Sequence, residues 1–210
     1  MQGMAHYPVR MTIRYLLATV LGAILVFGWG GAMWAGGAYD RFMHPMPGGE
    51  AIVRVLDDAA PASGMFVHPA PIDADAARTM AERENLERSR FERMRSGPLV
   101  MMALTKGGES AQGARMFVRG FLVEYFATAL LAAAVGLAGS AHGPLRRLLA
   151  LLAMVGFMAL ATHMVVWAFM SAPGEWTAVM VFDSVVGWTL AGLPAVFLMR
   201  ARRAGDTLPA

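Results

Sequence analysis

A mainly α-helical membrane protein is the fold class this sequence predicts: four transmembrane helices with a small extracytoplasmic α+β insert between the first and second. Three observations predict it. The chain is 57% hydrophobic and 16% charged, whereas a soluble domain runs nearer a quarter charged. Four apolar runs are each about 20 residues, the length that crosses a ~30 Å hydrocarbon core. Arginines gather at one set of run ends, at Arg10 and Arg14, at Arg146 and Arg147, and at Arg200, Arg202 and Arg203.

The first run, Tyr15 to Ala35, outlasts the ~7 to 15 residue apolar core of a signal peptide and continues through Trp29 and Trp34, so it is expected to be retained as an anchor. Gly28, Ala32 and Gly36 recur every four residues, a stripe that suits close approach of another helix. Residues 1–36 thus comprise an N-terminal segment and the first span.

Between residues 37 and 115 the composition turns to Pro, Gly, Asp, Glu and Arg. A short amphipathic helix is expected over Glu50 to Asp58 and a strand over Ser63 to Pro69. Asp73 is expected to cap a helix reaching Arg95, with Glu84 and Arg88 paired along it. On that helix Ala76, Met80, Phe91 and Met94 form an apolar stripe that should lie against the strands or the membrane. Gly97-Pro98 ends it, and a second strand, antiparallel to the first, follows over Leu99 to Thr105.

Residues 116–199 hold the other three spans, Met116 to Leu137, Leu148 to Met170 and Trp176 to Met199, and 200–210 form a tail. Short connections make neighbours antiparallel. The arginine bias places both termini in the cytoplasm and the insert outside, in a cytoplasmic membrane.

The charge excess, 18 basic against 15 acidic residues, is too small and too confined to span ends for nucleic-acid binding. Cysteine is absent, which removes disulfides, thiolate nucleophiles and Cys-ligated metals. Neither a nucleotide loop nor a nucleophile with a neighbouring base is found, so an enzyme ranks third among the readings.

The chemical interest lies in ionisable residues inside apolar runs. With the expected topology Glu124, His163 and Asp183 all sit roughly 10 to 12 Å below the outer boundary, with Arg119 nearer the interface. A charge in hydrocarbon costs about 2.5 to 3.5 kcal/mol or more, so these groups should converge inside the bundle, His163 pairing with Asp183 and Glu124 with Arg119. Such a cluster can be a proton or ion site open to the outer face. Its plainer use, a hydrogen-bonded network holding four helices in register, meets the same energetic demand without a ligand and is preferred.

No cofactor is expected. His163, Asp183 and Glu124 are at most a weak metal set, since no two share a helix at ligand spacing. Met43-His44-Pro45-Met46 and Met65-Phe66-Val67-His68 put His44 and His68 beside thioethers suited to Cu(I), although most of the 18 methionines lie in apolar runs as core filler. Trp188 should pack within the bundle, and Gly187 with Ala191 should let a neighbour approach Asp183.

The pair Trp29 and Trp34, the stretch Ala60-Pro61-Ala62-Ser63-Gly64-Met65-Phe66-Val67-His68-Pro69, Gly97-Pro98, and Phe182-Asp183 with Gly187-Trp188 and Leu190-Ala191-Gly192-Leu193 together resemble an uncharacterised family of small bacterial four-span membrane proteins. The resemblance implies the architecture and no activity. Its members carry Pro-Trp-His after the Trp pair where this chain has Ala35-Gly36-Gly37, so no role for that histidine carries over. The function expected is therefore that of a non-enzymatic accessory or assembly subunit of a larger membrane complex, in contact with lipid and other membrane subunits. The alternative is a small transporter or proton-coupled protein using Glu124, His163 and Asp183.

Overall fold

The computed structural model describes residues 6–73, 75, 77–107, 113–138 and 143–199, with side chains from residue 12 onward. Ala76, His142 and the arginines at 200, 202 and 203 lie outside these, as does the side chain of Arg10. Along the chain come α1 (His6–Ala35), α2 (Gly49–Ala59), β1 (Gly64–His68), α3 (Met80–Ser96), β2 (Val100–Leu104), α4 (Ala114–Ala138), α5 (Pro144–Ala159), a π-helical turn (Leu160–Met164), α6 (Val165–Met170) and α7 (Gly174–Leu198).

Four stretches are long and apolar enough to cross a membrane: Thr12–Ala35, Ala114–Ala138, Pro144–Met170 and Gly174–Leu198. The third is one rod in outline but not in hydrogen bonding. The widened turn at Leu160–Met164 interrupts it, and Thr162 Oγ1 donates back to the Met158 carbonyl at 2.7 Å, a bond that loosens a helix ladder. Ser171, at φ 54, then ends α6 in the left-handed region before Pro173 leads into α7.

The chain forms two compact units, 45–110 on its own and 1–44 with 111–210. Residues 37–44 therefore belong with the long helices, not with the insert to which composition assigned them.

Within the helical unit α4 and α7 are in mutual contact, and each touches both α1 and α5. The buried core is drawn from one end of each: Ala18, Ala132 and Val135, Leu151 and Val155, Ala195 and Val196. Close approach is made by glycines. A Cβ on Gly22 would run into the Ala191 carbonyl oxygen and stand 2.6 Å from Thr128 Cγ2, and one on Gly192 would strike the Leu151 side chain. The stripe expected to serve this purpose does not: Gly28, Ala32 and Gly36 are exposed, and a Cβ at Gly28 would meet nothing within 4 Å. Four-residue spacing marks a smooth helix face, and only packing selects which such face is used.

The other unit carries the expected antiparallel pair, in the register Gly64↔Leu104 to His68↔Val100. Helix α2 matches its predicted span within a residue. Helix α3 starts later than expected, because Thr79 and not Asp73 caps it: Thr79 Oγ1 accepts from Glu82 N at 3.2 Å and Glu82 Oε2 from Thr79 N at 3.1 Å. This reciprocal box satisfies two end donors, whereas a single Asp satisfies one. Asp73 Oδ1 instead accepts from Asp75 N, a local turn. The ion pair along α3 is Arg83–Glu87 at 3.3 Å, one residue earlier than the Glu84–Arg88 pair expected. The strands do not bury its apolar stripe. No residue of α3 is buried, and Met80 and Phe91 are 73% and 63% exposed.

Candidate functional site

Asp183 and the polar side chains around it gather at the end opposite the apolar core, whereas Thr19, Thr128 and Arg147 are buried on the core side. Asp183 is the tenth residue of α7, about 14 Å along it from Gly174. Trp29 Nε1 on α1 donates to its Oδ1 at 2.8 Å, and the Tyr39 hydroxyl, four residues beyond α1, donates to its Oδ2 at 2.8 Å.

Local chain geometry sets both donors. After Ala35 the backbone folds through turns closed by Ala38 N to Met33 O and Asp40 N to Gly37 O, with Gly37 at φ 67, a conformation that glycine adopts without a Cβ clash. The turns bring Tyr39 back onto the helices, where it is 5% exposed. Its ring centroid lies 4.9 Å from that of Trp34 and 6.1 Å from that of Trp176, while the Trp29 ring packs edge-on to Phe182. Gly187, one turn along from Asp183, leaves room for the indole: a Cβ there would be 3.0 Å from Trp29 Cδ1.

Two donors, one on each oxygen, suit an ionised carboxylate, and charge-assisted bonds of this kind are about twice as strong as neutral ones. The reciprocal effect falls on Tyr39. Burial first, then its hydrogen bond to Asp183 and the charge of that carboxylate, hold the phenol protonated well above the ordinary tyrosine range. At neutral pH it is therefore a fixed donor.

His163 does not pair with Asp183. Its Nε2 lies 2.7 Å from Ser184 Oγ, the residue next to Asp183 and about 100° further round α7. His163 sits in the π turn, whose extra backbone width shifts the phase of the residues in it. A regular helix would present the imidazole elsewhere, which is why a reading that assumed one chose the wrong partner.

Glu124 is half-buried on α4, within electrostatic reach of Asp183. Its Oε2 is shielded from solvent and has no hydrogen-bond partner among the described residues. Arg119 lies five residues earlier on α4 and is exposed. Thus Asp183 is met by Trp29 and Tyr39 with Glu124 in electrostatic range, while His163 is tied to the same helix by a separate bond.

The residues missed from the sequence are Trp29, Tyr39 and Ser184. Trp29 had a signal: an indole N–H within an apolar run needs an acceptor, and Asp183 falls at a comparable distance from the same end. Tyr39 had none, since it lies in what composition marks as the insert.

Among the described residues no three of His, Asp and Glu converge as a metal-ligand set. His44 and His68 are exposed and belong to different units. Trp188 packs against the core as expected. With Leu130, Leu131, Met154 and Met158 it also lines an apolar groove of about 300 Å³.

No family model, curated protein or solved structure matches the chain. The likeness to a four-span family consequently assigns no family, and what stands is a helical protein with four stretches able to cross a membrane.

Proposed function

We propose that this chain is a multi-pass membrane protein with no catalytic role of its own, an accessory or assembly subunit whose insert binds another protein on the extracytoplasmic side. One observation supports this above the others. The antiparallel strand pair presents an apolar face made of Met65, Val67, Met101 and Ala103, with Met65 65%, Val67 43% and Met101 46% exposed. Apolar patches left uncovered in a folded unit commonly mark interaction sites. Two strands also leave two open edges, which favours addition of a partner strand.

In this reading Asp183, Trp29 and Tyr39 are structural, locking α1 to α7. The test is purification in mild detergent after in-cell crosslinking, comparing the native chain with a Met65→Asp, Met101→Asp variant. The native chain is expected to carry a stoichiometric membrane partner that the variant loses; a native chain that emerges alone rejects the proposal.

A second reading is favoured by the unpartnered Oε2 of Glu124 beside Asp183. A carboxyl with one oxygen shielded from water and left unbonded is the kind of group that exchanges a proton in coupled transport. In proteoliposomes Glu124→Gln should then abolish an acid-driven proton flux that the native chain sustains. Equal flux in both proteins removes this reading.

A further inference from the structure

Helix α2 has an apolar arc that no described residue of the chain buries. Around its axis Val55, Ala59, Ile52, Leu56 and Val53 follow one another over about 160°, while Glu50, Arg54, Asp57 and Asp58 occupy the other side. No residue of α2 is buried, and Ile52, Val53 and Val55 are 42%, 49% and 66% exposed.

Covalent length limits where this helix can go. Residues up to 44 belong to the helical unit, and Tyr39 is fastened to Asp183. Gly49, the first residue of α2, follows His44 by five residues, a reach of at most about 18 Å. The other end is tethered as well. Lys106 Nζ donates to the carbonyls of Asp57 at 2.6 Å and Ala60 at 2.8 Å, at the C-terminal end of α2. Lys106 precedes Ala114, the start of α4, by eight residues, about 29 Å at full stretch. Both ends of a helix about 16 Å long are therefore leashed to the same end of the helical unit. That end is where α1 finishes and α4 begins.

We propose that α2 lies in the plane of the bilayer interface with Ile52, Val53, Val55 and Leu56 turned into the lipid. The occupant of the arc is the membrane that the same chain spans, which the two leashes keep within reach. Helices of this kind sink their apolar side about 5 to 10 Å into the headgroup and acyl boundary. Charge indicates which term drives it. Three acids face a single arginine on the polar side, with Lys106 3.8 Å from the Asp57 carboxylate. Attraction to anionic headgroups is absent, and apolar burial carries the contact, so neutral lipid suffices and added salt does not release the helix.

The inference rests on the membrane part of the preceding reading and is independent of any protein partner. The natural absence of cysteine allows single Val55→Cys, Arg54→Cys and Leu130→Cys variants of the full chain to be spin-labelled in nanodiscs of phosphatidylcholine. Collisions with oxygen, which partitions into lipid, are then compared with those of a water-soluble nickel chelate. Position 130, 74% exposed on α4, reports whether the long helices are in lipid at all. The oxygen-to-nickel ratio is expected to be several-fold higher at 55 than at 54, and unchanged by 0.5 M salt. Equal ratios at 54 and 55 overturn the inference, as does shielding of 55 from both reagents, which is the mark of a second copy or another protein on the arc. A lipid-inaccessible label at 130 overturns the membrane reading and this inference with it.

Discussion

The two ends of the helical unit hold the same four long rods together by different means. At one end Ala18, Val135, Leu151 and Ala195 pack with glycines at the crossings, and the contact is made mainly by shape, with one bond from the Tyr15 hydroxyl to the Ala129 carbonyl at 2.8 Å. At the other, Asp183 is held by Trp29 and Tyr39, His163 meets Ser184, and aromatic rings fill the spaces between. Steric packing is intolerant of added volume. A hydrogen-bonded end is sensitive in addition to the loss of single polar atoms. The comparison teaches that α1 is located twice, once by backbone proximity at Gly22 and once by a carboxylate.

The largest effect is expected where a backbone blocks the way. Gly22→Ala puts a methyl group against the Ala191 carbonyl, which cannot rotate aside, and should cost about 3 kcal/mol, read as a lower melting midpoint in detergent. Asp183→Asn comes next. The amide keeps one acceptor but points a donor at the other of Trp29 and Tyr39, a loss of about 2 kcal/mol by the same measurement.

Tyr39→Phe should cost about 1 kcal/mol at neutral pH and also change the pH profile. The folded state holds the phenol proton above the ordinary range, so above pH ~10 the unfolded chain loses a proton that the folded chain keeps, and stability falls as pH rises. That fall should be shallower in Tyr39→Phe, and identical alkaline slopes would show that the hydroxyl is not held by Asp183. Ser184→Ala, which removes the hydroxyl 2.7 Å from His163 Nε2, is expected to cost least, about 0.6 kcal/mol, the mean for an interhelical hydrogen bond between long apolar helices. A Ser184→Ala loss exceeding that of Asp183→Asn would reverse the ranking and make His163 the anchor of this end.

The four long rods were legible because apolar length is a local property, and the two strands because Pro69 and Gly97-Pro98 bound their apolar residues. Glu124, His163 and Asp183 were legible as residues that must turn inward, but their partners were not. Asp183 faces an indole and a phenol from another helix, and nothing near residues 29 or 39 in the chain announces residue 183. The cap of α3 was misplaced for a related reason. Asp73 and Thr79 are both capable of starting a helix, and the reciprocal bond from Glu82 decides between them.

By itself the sequence determined which segments are helical, where the apolar runs begin and end, and which side chains are costly to leave alone. Only the tertiary structure decided that Gly22 and Gly192, not Gly28 and Gly36, make the close crossings, that Tyr39 belongs to the helices, and that the π turn directs His163 to Ser184. The physical reason is that periodicity and hydropathy are summed along the chain, whereas each of these outcomes depends on the phase of one helix against another. A single extra residue in one turn changes that phase while leaving composition and length as they were.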